Sequence, residues 1–100
     1  MLQNFRSYQL SLQLYRECRE LRLPHHLKDQ LVRAASSISL NLAEGSAKPA
    51  SKERRRFYTI AFASLREVQA VIDLEGESLA SIRGQADVLG AHLYRLCRGP

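Results

Sequence analysis

Helix-breaking residues are scarce in this chain, and three of them are well placed to divide it into segments of similar length. Pro24, Pro49 and Gly76 mark the breaks. Between them, apolar residues recur every three or four positions, which is the period of an α-helix that buries one face. No segment alternates in the way a half-buried strand does. The sequence therefore predicts an all-α chain with four helices, over about residues 4–22, 24–44, 51–75 and 78–98.

Four amphipathic helices with short connections are typical of an antiparallel, up-down-up-down four-helix bundle. At 100 residues, 45% of them apolar and 25% charged, we expect one globular domain over residues 1–100. No stretch approaches the roughly 20 apolar residues of a membrane helix, and the polar N-terminus does not resemble a secretory signal. Two cysteines without metal or redox spacing predict free thiols in a cytoplasmic protein that does not associate with membranes.

Several local details follow from the same pattern. We expect Gly45 to adopt the left-handed conformation that ends the second helix, and Ser51 to cap the third helix through its hydroxyl. Phe57 begins the predicted inner face of the third helix, which makes Tyr58 the most outward tyrosine. The first helix is expected to face the core through large residues, namely Phe5, Tyr8, Leu12 and Tyr15, widened by Leu14, Cys18 and Leu21.

The net charge is +5, and the basic excess lies in the first three quarters of the chain, where residues 1–72 carry +6. Polyanions are natural partners for such a chain. Five basic residues crowd around the start of the third helix, where free N–H groups also attract phosphate. The alternative is a solvated basic surface, because consecutive arginines fan around a helix. The candidate nucleic-acid residues are Lys48, Lys52, Arg54, Arg55 and Arg56, with Arg16 and Arg19 of the first helix as secondary candidates.

A polar stripe borders the apolar face of the second helix. When residues are placed about 100° apart, five polar side chains share a sector of about 80°. An arginine in a half-buried stripe needs a carboxylate, and Glu44 or Glu67 is the expected partner of Arg33. The stripe either forms a network within the chain or contacts another subunit, and the spacing leaves both open. Its members are Gln30, Arg33, Ser37, Asn41 and Glu44, with Glu67 on the third helix.

The polar stripe is also part of a longer motif. The first stretch is Gln30-x-x-Arg33-Ala34-Ala35-x-Ser37-Ile38-x-x-Asn41-Leu42-Ala43-Glu44-Gly45. The second is Arg56-Phe57-x-x-Ile60-Ala61-x-x-Ser64-Leu65-x-Glu67-Val68. In order and spacing, these stretches resemble the signature of the 23S rRNA intervening-sequence proteins, also called the four-helix-bundle protein family. The resemblance covers most of residues 5–72.

This resemblance implies a four-helix bundle that assembles into a homopentameric ring. It also implies kinship with the accessory variability proteins of diversity-generating retroelements, which are basic pentamers that bind a reverse transcriptase and nucleic acid. It suggests no enzymatic activity. The signature residues of the polar stripe would then serve packing and subunit contact.

Catalytic and metal-binding patterns are missing from the sequence. His25 and His26 are adjacent, so they point about 100° apart on a helix and cannot clamp one metal ion. There is no glycine-rich phosphate loop and no linked nucleophile and base. We therefore expect no enzyme and no cofactor.

The leading function is a non-catalytic, oligomeric, nucleic-acid-associated assembly protein that binds RNA or DNA phosphates. One alternative is an accessory subunit that docks on the reverse transcriptase of a retroelement. The other is a structural homo-oligomer whose charge serves solubility alone.

Overall fold

The computed structural model describes residues 2–98, and this part of the chain is helical without any strand. The predicted all-α class is therefore confirmed. Short 3-10 turns at Leu2–Asn4 and Gly76–Leu79 precede the first and last α-helices. The α-helices are α1 (Arg6–Glu20), α2 (His25–Ser46), α3 (Ser51–Glu75) and α4 (Ala80–Arg98).

Consecutive helices run antiparallel. The Ser11 and Ser39 hydroxyls lie 2.8 Å apart between α1 and α2, and Lys28 at the start of α2 reaches the carbonyl of Leu21, just after α1. Thus late residues of one helix lie beside early residues of the next. Between α3 and α4 the same order holds, with Thr59 beside Cys97 and Asp73 beside Arg83. Helix α1 also packs against α4, which gives each helix two main neighbours.

The core runs along the axis between the helices. Helix α4 contributes a line of buried residues at steps of three and four, which is the spacing of a helix that packs against its neighbours. Burying one such leucine or isoleucine stabilises the fold by about 1.5–3 kcal/mol. The largest fully buried side chains are Leu14, Leu31, Ile38, Leu42, Leu65, Val68, Ile72, Leu79, Ile82, Leu89 and Leu93, with Cys18.

Helix α1 faces the core through only part of the predicted face. Leu14 and Cys18 are fully buried, as predicted, and Ser7 and Ser11 complete the buried line. The large residues of the predicted stripe, Phe5, Tyr8, Leu12 and Tyr15, are half-buried at its edge. The Ser11 hydroxyl donates to the Tyr8 carbonyl at 2.7 Å and also contacts the Ser39 hydroxyl. Two small hydroxyl residues that satisfy each other let α1 and α2 approach closely, which large rings there would prevent.

The prediction that Gly45 ends α2 in a left-handed conformation was wrong. Gly45 is buried inside α2, and a methyl group there would lie 2.8 Å from Tyr58 Cε1 and 3.0 Å from Phe57 Cβ. The tyrosine ring occupies the space that a side chain at residue 45 would need. Tyr58 is therefore buried, with 8% of its surface exposed, and the prediction that it is the most outward tyrosine was also wrong.

The helix ends differ from the predicted caps at one more place. Ser51 is the first residue of α3 and makes no capping hydrogen bond, since Ala50 holds the cap position. The Ser51 hydroxyl instead accepts a hydrogen bond from Arg54 Nη2 at 3.1 Å. Gly76, with φ of 72°, adopts the positive-φ conformation after α3 and donates its N–H to the Ile72 carbonyl. A side chain would be strained at that φ.

Candidate nucleic-acid and assembly surfaces

The antiparallel order divides the charges of the molecule into two unequal halves. One half joins the start of α1, the end of α2, the start of α3 and the end of α4. It holds eight Lys/Arg and two Asp/Glu, a net charge of +6, and we call it the basic half (residues 2–13, 36–62 and 90–98). The other half holds seven Lys/Arg and eight Asp/Glu, a net charge of −1, and we call it the mixed half (residues 14–35 and 63–89).

Five predicted nucleic-acid residues lie together in the basic half, but their side chains are not equivalent. Arg54 is committed to the α2–α3 connection, because its Nη1 donates to the carbonyls of Lys48 at 3.0 Å and Pro49 at 2.7 Å. With its bond to Ser51, the guanidinium holds this turn in place. Arg54 is thus a structural residue of the connection, and Arg55 is engaged in contacts of its own.

The Phe57 ring contacts two other cations of this cluster, Lys48 and Arg56. The Lys48 ammonium lies 5.4 Å and the Arg56 guanidinium 5.8 Å from the centre of its ring. Lys48 also pairs with Glu44 at 3.2 Å. Lys52 and Arg56 are exposed, so these two cations are the most accessible to a phosphate group.

The secondary candidates, Arg16 and Arg19, do not join this cluster. Both are exposed on α1 in the mixed half, and the Arg19 guanidinium lies 5.7 Å from the centre of the Tyr15 ring. Helix α1 begins in the basic half and ends in the mixed half. A ligand that lies on the start of α3 therefore meets Arg6 at the start of α1 before it reaches either residue.

Three basic residues of the basic half were missed by the sequence reasoning. Arg6, Arg95 and Arg98 lie far from the α3 cluster along the chain, and antiparallel packing brings the start of α1 and the end of α4 to the start of α3. The signal was available, since an up-down topology alternates the helix ends. Counting charges by helix end, and not by position along the chain, would have found them.

The polar stripe on α2 divides into a bonded part and a solvent-facing part. Asn41 Nδ2 donates to the Ser37 carbonyl at 2.8 Å, and the Ser37 hydroxyl lies 2.8 Å from the Ser64 hydroxyl on α3. This group is half-buried and joins α2 to α3 within the chain. Sequence reasoning had not paired Ser37 with Ser64, although Ser64 lies on the apolar face of α3.

Within residues 2–98, Arg33 pairs with neither Glu44 nor Glu67, so the predicted pairing does not occur inside the chain. Glu44 pairs with Lys48, four residues on along α2. Gln30, Arg33 and Glu67 are exposed, and their side chains make no hydrogen bond or ion pair with residues 2–98. The cause is geometric, because Glu44 is three turns from Arg33 but one turn from Lys48.

An apolar groove runs along the outside of α1 and α2. The half-buried rings of Tyr8 and Tyr15 and the side chain of Leu12 form one wall, and Leu40 and Ala43 form the other. Leu40 is 69% exposed and extends the apolar surface of this groove toward solvent. Three residues of the predicted α1 stripe, Tyr8, Leu12 and Tyr15, therefore line this groove, and the two tyrosines also pack against the core.

Among residues 2–98, shifted pKa values are found for two side chains, one in each half. Burial raises the pKa of the Cys18 thiol to about 12; Glu17 adds to the rise and Lys28 opposes it. Burial also raises the pKa of the Tyr58 hydroxyl, and Arg54 opposes that rise. A buried neutral thiol is a poor nucleophile, since the thiolate is the reactive form.

The described part of the chain has neither a metal cluster nor a membrane span. Residues 2–98 contain no group of three or more His, Cys, Asp and Glu side chains that could hold a metal ion. None of the helices between these residues is sufficiently long and apolar to cross a bilayer.

Comparison with known proteins agrees with the two motifs of α2 and α3. Neither a curated protein nor a solved structure matches the chain. The family model described as "23S rRNA-intervening sequence protein" matches residues 3–91, which include α1, α2, α3 and most of α4. This span is far more than half of the sequence, so the chain belongs to the 23S rRNA-intervening sequence protein family.

Proposed function

We propose that this protein is a non-catalytic subunit of a homo-oligomer that binds the phosphate backbone of RNA or DNA through its basic half. The observation that carries the proposal is the separation of charge, +6 in the basic half against −1 in the mixed half. Within residues 2–98, the side chains of Arg6, Lys52 and Arg95 make no ion pair or hydrogen bond. Unpaired cations in one half of the molecule are available to neutralise phosphates.

Such binding is electrostatic and does not depend on base sequence. Each phosphate that a Lys or Arg neutralises releases condensed counterions, so affinity falls as salt rises. The backbone N–H groups at the start of α3 favour an anion at the same place. Phosphate contacts position a nucleic acid but carry no sequence information.

We further propose that α1 to α4 form an up-down-up-down four-helix bundle and that five copies form a ring, as the family resemblance implies. The α1/α2 groove, with Leu40 exposed, supplies an apolar surface that a second copy would cover. The solvent-facing Gln30, Arg33 and Glu67 would then find partners on that copy. A ring repeats the basic half around its circumference, and repeated weak contacts add avidity.

The binding proposal is tested by fluorescence anisotropy of a labelled structured RNA and a labelled DNA duplex, each titrated over a range of salt concentrations. We expect tight binding at low salt and a steep loss of affinity as salt rises. The variant Lys52→Glu with Arg56→Glu should reduce the slope of log affinity against log salt by about 1.4–1.8, the value of two lost phosphate contacts.

The matched control is Arg16→Glu with Arg19→Glu, which makes the same change of charge in the mixed half. We expect its affinity to stay closer to that of the wild type. Equal losses in both variants would show that net charge, and not the basic half, controls binding. If neither nucleic acid binds at low salt, the proposal is wrong, and docking on a reverse transcriptase becomes the function to test.

The assembly proposal has its own measurement. Light scattering after size-exclusion chromatography should give a native mass several times 11.4 kDa. Leu40→Glu, which places a charge in the apolar groove, should lower that mass. A wild-type monomer at micromolar concentration would refute the ring.

A further inference from the structure

A row of aromatic and basic side chains lies in the groove between α3 and α4. The Arg66 guanidinium lies 4.7 Å from the centre of the Phe62 ring, and the Phe62 and Tyr94 ring centres are 6.4 Å apart at an angle of 59°. The Arg98 guanidinium lies 5.2 Å from the centre of the Tyr94 ring. The order is therefore cation, ring, ring, cation, and we call these four residues the α3/α4 row.

The two rings of this row differ in exposure, since Phe62 is half-buried against the core and Tyr94 is open to solvent. Tyr94 is 48% exposed, and its hydroxyl accepts a hydrogen bond from Arg98, which is itself exposed. Beside the rings, α4 carries Gly90 and Ala91, whose small size leaves the groove open. A methyl group on Gly90 would lie 3.2 Å from Leu65 Cδ2, so α4 lies close against α3 there. A tyrosine that served core packing would be buried, as Tyr58 is.

The groove is polarised along its length. At its mixed-half end, Arg66 Nη1 donates to Gln69 Oε1 at 2.8 Å, and Gln69 Nε2 donates to Asp87 Oδ1 at 3.3 Å. Beyond Arg66 and Gln69, the Asp87 carboxylate repels phosphate and so limits how far a polyanion can extend. At the other end, Arg98 extends the row toward the basic half. A polyanion in the groove would therefore enter from the basic half and run up to Arg66.

We propose that the α3/α4 row binds a single-stranded segment of nucleic acid, with bases stacked on Tyr94 and Phe62 and phosphates on Arg98 and Arg66. Aromatic rings and guanidinium planes stack on any base, but a base presents its face only when it is unpaired. This inference rests on the proposed function and adds to it. Binding to the basic half requires only phosphates, whereas binding to the α3/α4 row also requires an unpaired base.

The test uses the full chain and two labelled oligonucleotides of about 12 nucleotides, within the usual length for one single-strand site. They are oligouridylate and oligodeoxyuridylate, which differ only in the 2′-hydroxyl group. Anisotropy gives the affinity of each for the wild type, Tyr94→Ala and Tyr94→Phe. We expect Tyr94→Ala to weaken single-strand binding about 5-fold or more, the loss of one stacked base. Tyr94→Phe keeps the ring and should bind like the wild type, and the ratio of the two oligonucleotides identifies the preferred sugar.

A second, matched pair separates the row from general charge. Tyr94 with Arg98 and Tyr15 with Arg19 are both tyrosine–arginine pairs four residues apart, with each guanidinium beside its ring. Arg98→Ala should weaken single-strand binding more than Arg19→Ala, and also more than Arg95→Ala, which removes an exposed positive charge of the basic half outside the row. Equal effects would overturn the assignment to the row.

The two proposals fail in different ways. If Tyr94→Ala binds single strands as tightly as the wild type while Lys52→Glu with Arg56→Glu loses binding, the row is wrong and the basic half stands. If Tyr94→Ala lowers the native mass of the protein, the row is a subunit contact and the inference is overturned. If no nucleic acid binds the wild type, both proposals fail.

Discussion

The two halves of this molecule share the same helices and a comparable core but differ in charge. The basic half has a net charge of +6 and the mixed half −1, although each contains seven or eight basic residues. The difference therefore comes from the acids, eight of which lie in the mixed half and two in the basic half. Selective placement of acids, more than of arginines and lysines, makes one half of the molecule attractive to polyanions.

The partners of the Lys and Arg side chains also differ between the two halves. In the mixed half, Arg83 pairs with Asp73 at 3.1 Å. In the basic half, Lys48 pairs with Glu44, whereas Arg54 bonds to backbone carbonyls and Arg56 lies beside the Phe57 ring. Arg54 and Arg56 thus contact carbonyl oxygens and a π face in place of a carboxylate, which leaves their charge uncompensated. Cation–ring contacts occur in the mixed half as well, at Arg19 and Arg66. This comparison can be tested through stability as well as binding.

The largest expected effect is a loss of stability at alkaline pH that originates in the mixed half. The Cys18 thiol ionises near pH 9.0 when the chain is unfolded but only near pH 12 in the fold. Its contribution is therefore fully present below pH 9 and is lost as pH rises toward 12, by about 1.4 kcal/mol per pH unit and about 4 kcal/mol in all. The free energy of unfolding, measured with urea at successive pH values, should show this slope.

Two comparisons isolate the Cys18 contribution. Cys18→Ala should lose the extra slope, while Cys97→Ala, which removes a partly buried thiol, should keep most of it. Tyr58 should add a further loss of stability above pH 10, because burial raises the pKa of its hydroxyl as well. Arg54 opposes that rise in pKa and so makes the loss smaller. Identical pH slopes in wild type and Cys18→Ala would show that Cys18 is not the group responsible.

The next effect compares two glycines in opposite halves. Gly45→Ala places a methyl group 2.8 Å from Tyr58 Cε1 in the basic half, and such overpacking costs about 1–3 kcal/mol. The gain in helix propensity is at most about 1 kcal/mol, so we expect a net destabilisation. Gly84→Ala in the mixed half meets no atom within 4 Å and should stabilise the fold by about 0.8–1 kcal/mol.

Thermal and urea unfolding followed by far-ultraviolet circular dichroism measure both glycine variants. Opposite signs are expected for the same chemical change. A Gly45→Ala variant as stable as the wild type would mean that the Tyr58 ring moves freely, and the close contact between α2 and α3 would then not hold the basic half together.

These two glycines also show what a sequence can predict. The four helical segments were predictable because helical period is a local property of the chain. The role of Gly45 was not, because it depends on the distance between α2 and α3 and on which neighbouring ring, Phe57 or Tyr58, fills the gap. Because phenylalanine is more apolar than tyrosine, the sequence favoured Phe57 as the residue that faces the core. In the structure, the Tyr58 ring lies directly opposite Gly45 and fills the space beside it.

The candidate site follows the same rule. The α3 cluster was visible as a run of residues, whereas Arg6, Arg95 and Arg98 join it only through the antiparallel order. The α3/α4 row combines Phe62 and Arg66 with residues some thirty positions later. To predict contacts between residues so far apart in sequence, one must know how α3 and α4 are aligned along their axes. The apolar period of each helix does not give that alignment.

The smallest expected effect concerns one charge at each end of α3. Lys52 at the start, in the basic half, and Glu75 at the end, in the mixed half, each interact unfavourably with the helix dipole. Lys52 lies in the first turn, where a negative charge is preferred, and Glu75 lies in the last turn, where a positive charge is preferred. Lys52→Glu and Glu75→Lys should therefore each stabilise the fold, by about 0.3–1 kcal/mol at low salt. The gain should shrink at high salt, because exposed charges are screened.

Stability and binding should then separate the two substitutions. Lys52→Glu in the basic half should gain stability and lose affinity for nucleic acid, whereas Glu75→Lys in the mixed half should gain stability without that loss. Urea unfolding at two salt concentrations and the anisotropy assay measure the two quantities on the same samples. If Lys52→Glu stabilises the fold and still binds nucleic acid as the wild type does, Lys52 has no role in binding. The unfavourable placement of this cation at the start of α3 would then need a cause other than nucleic-acid binding.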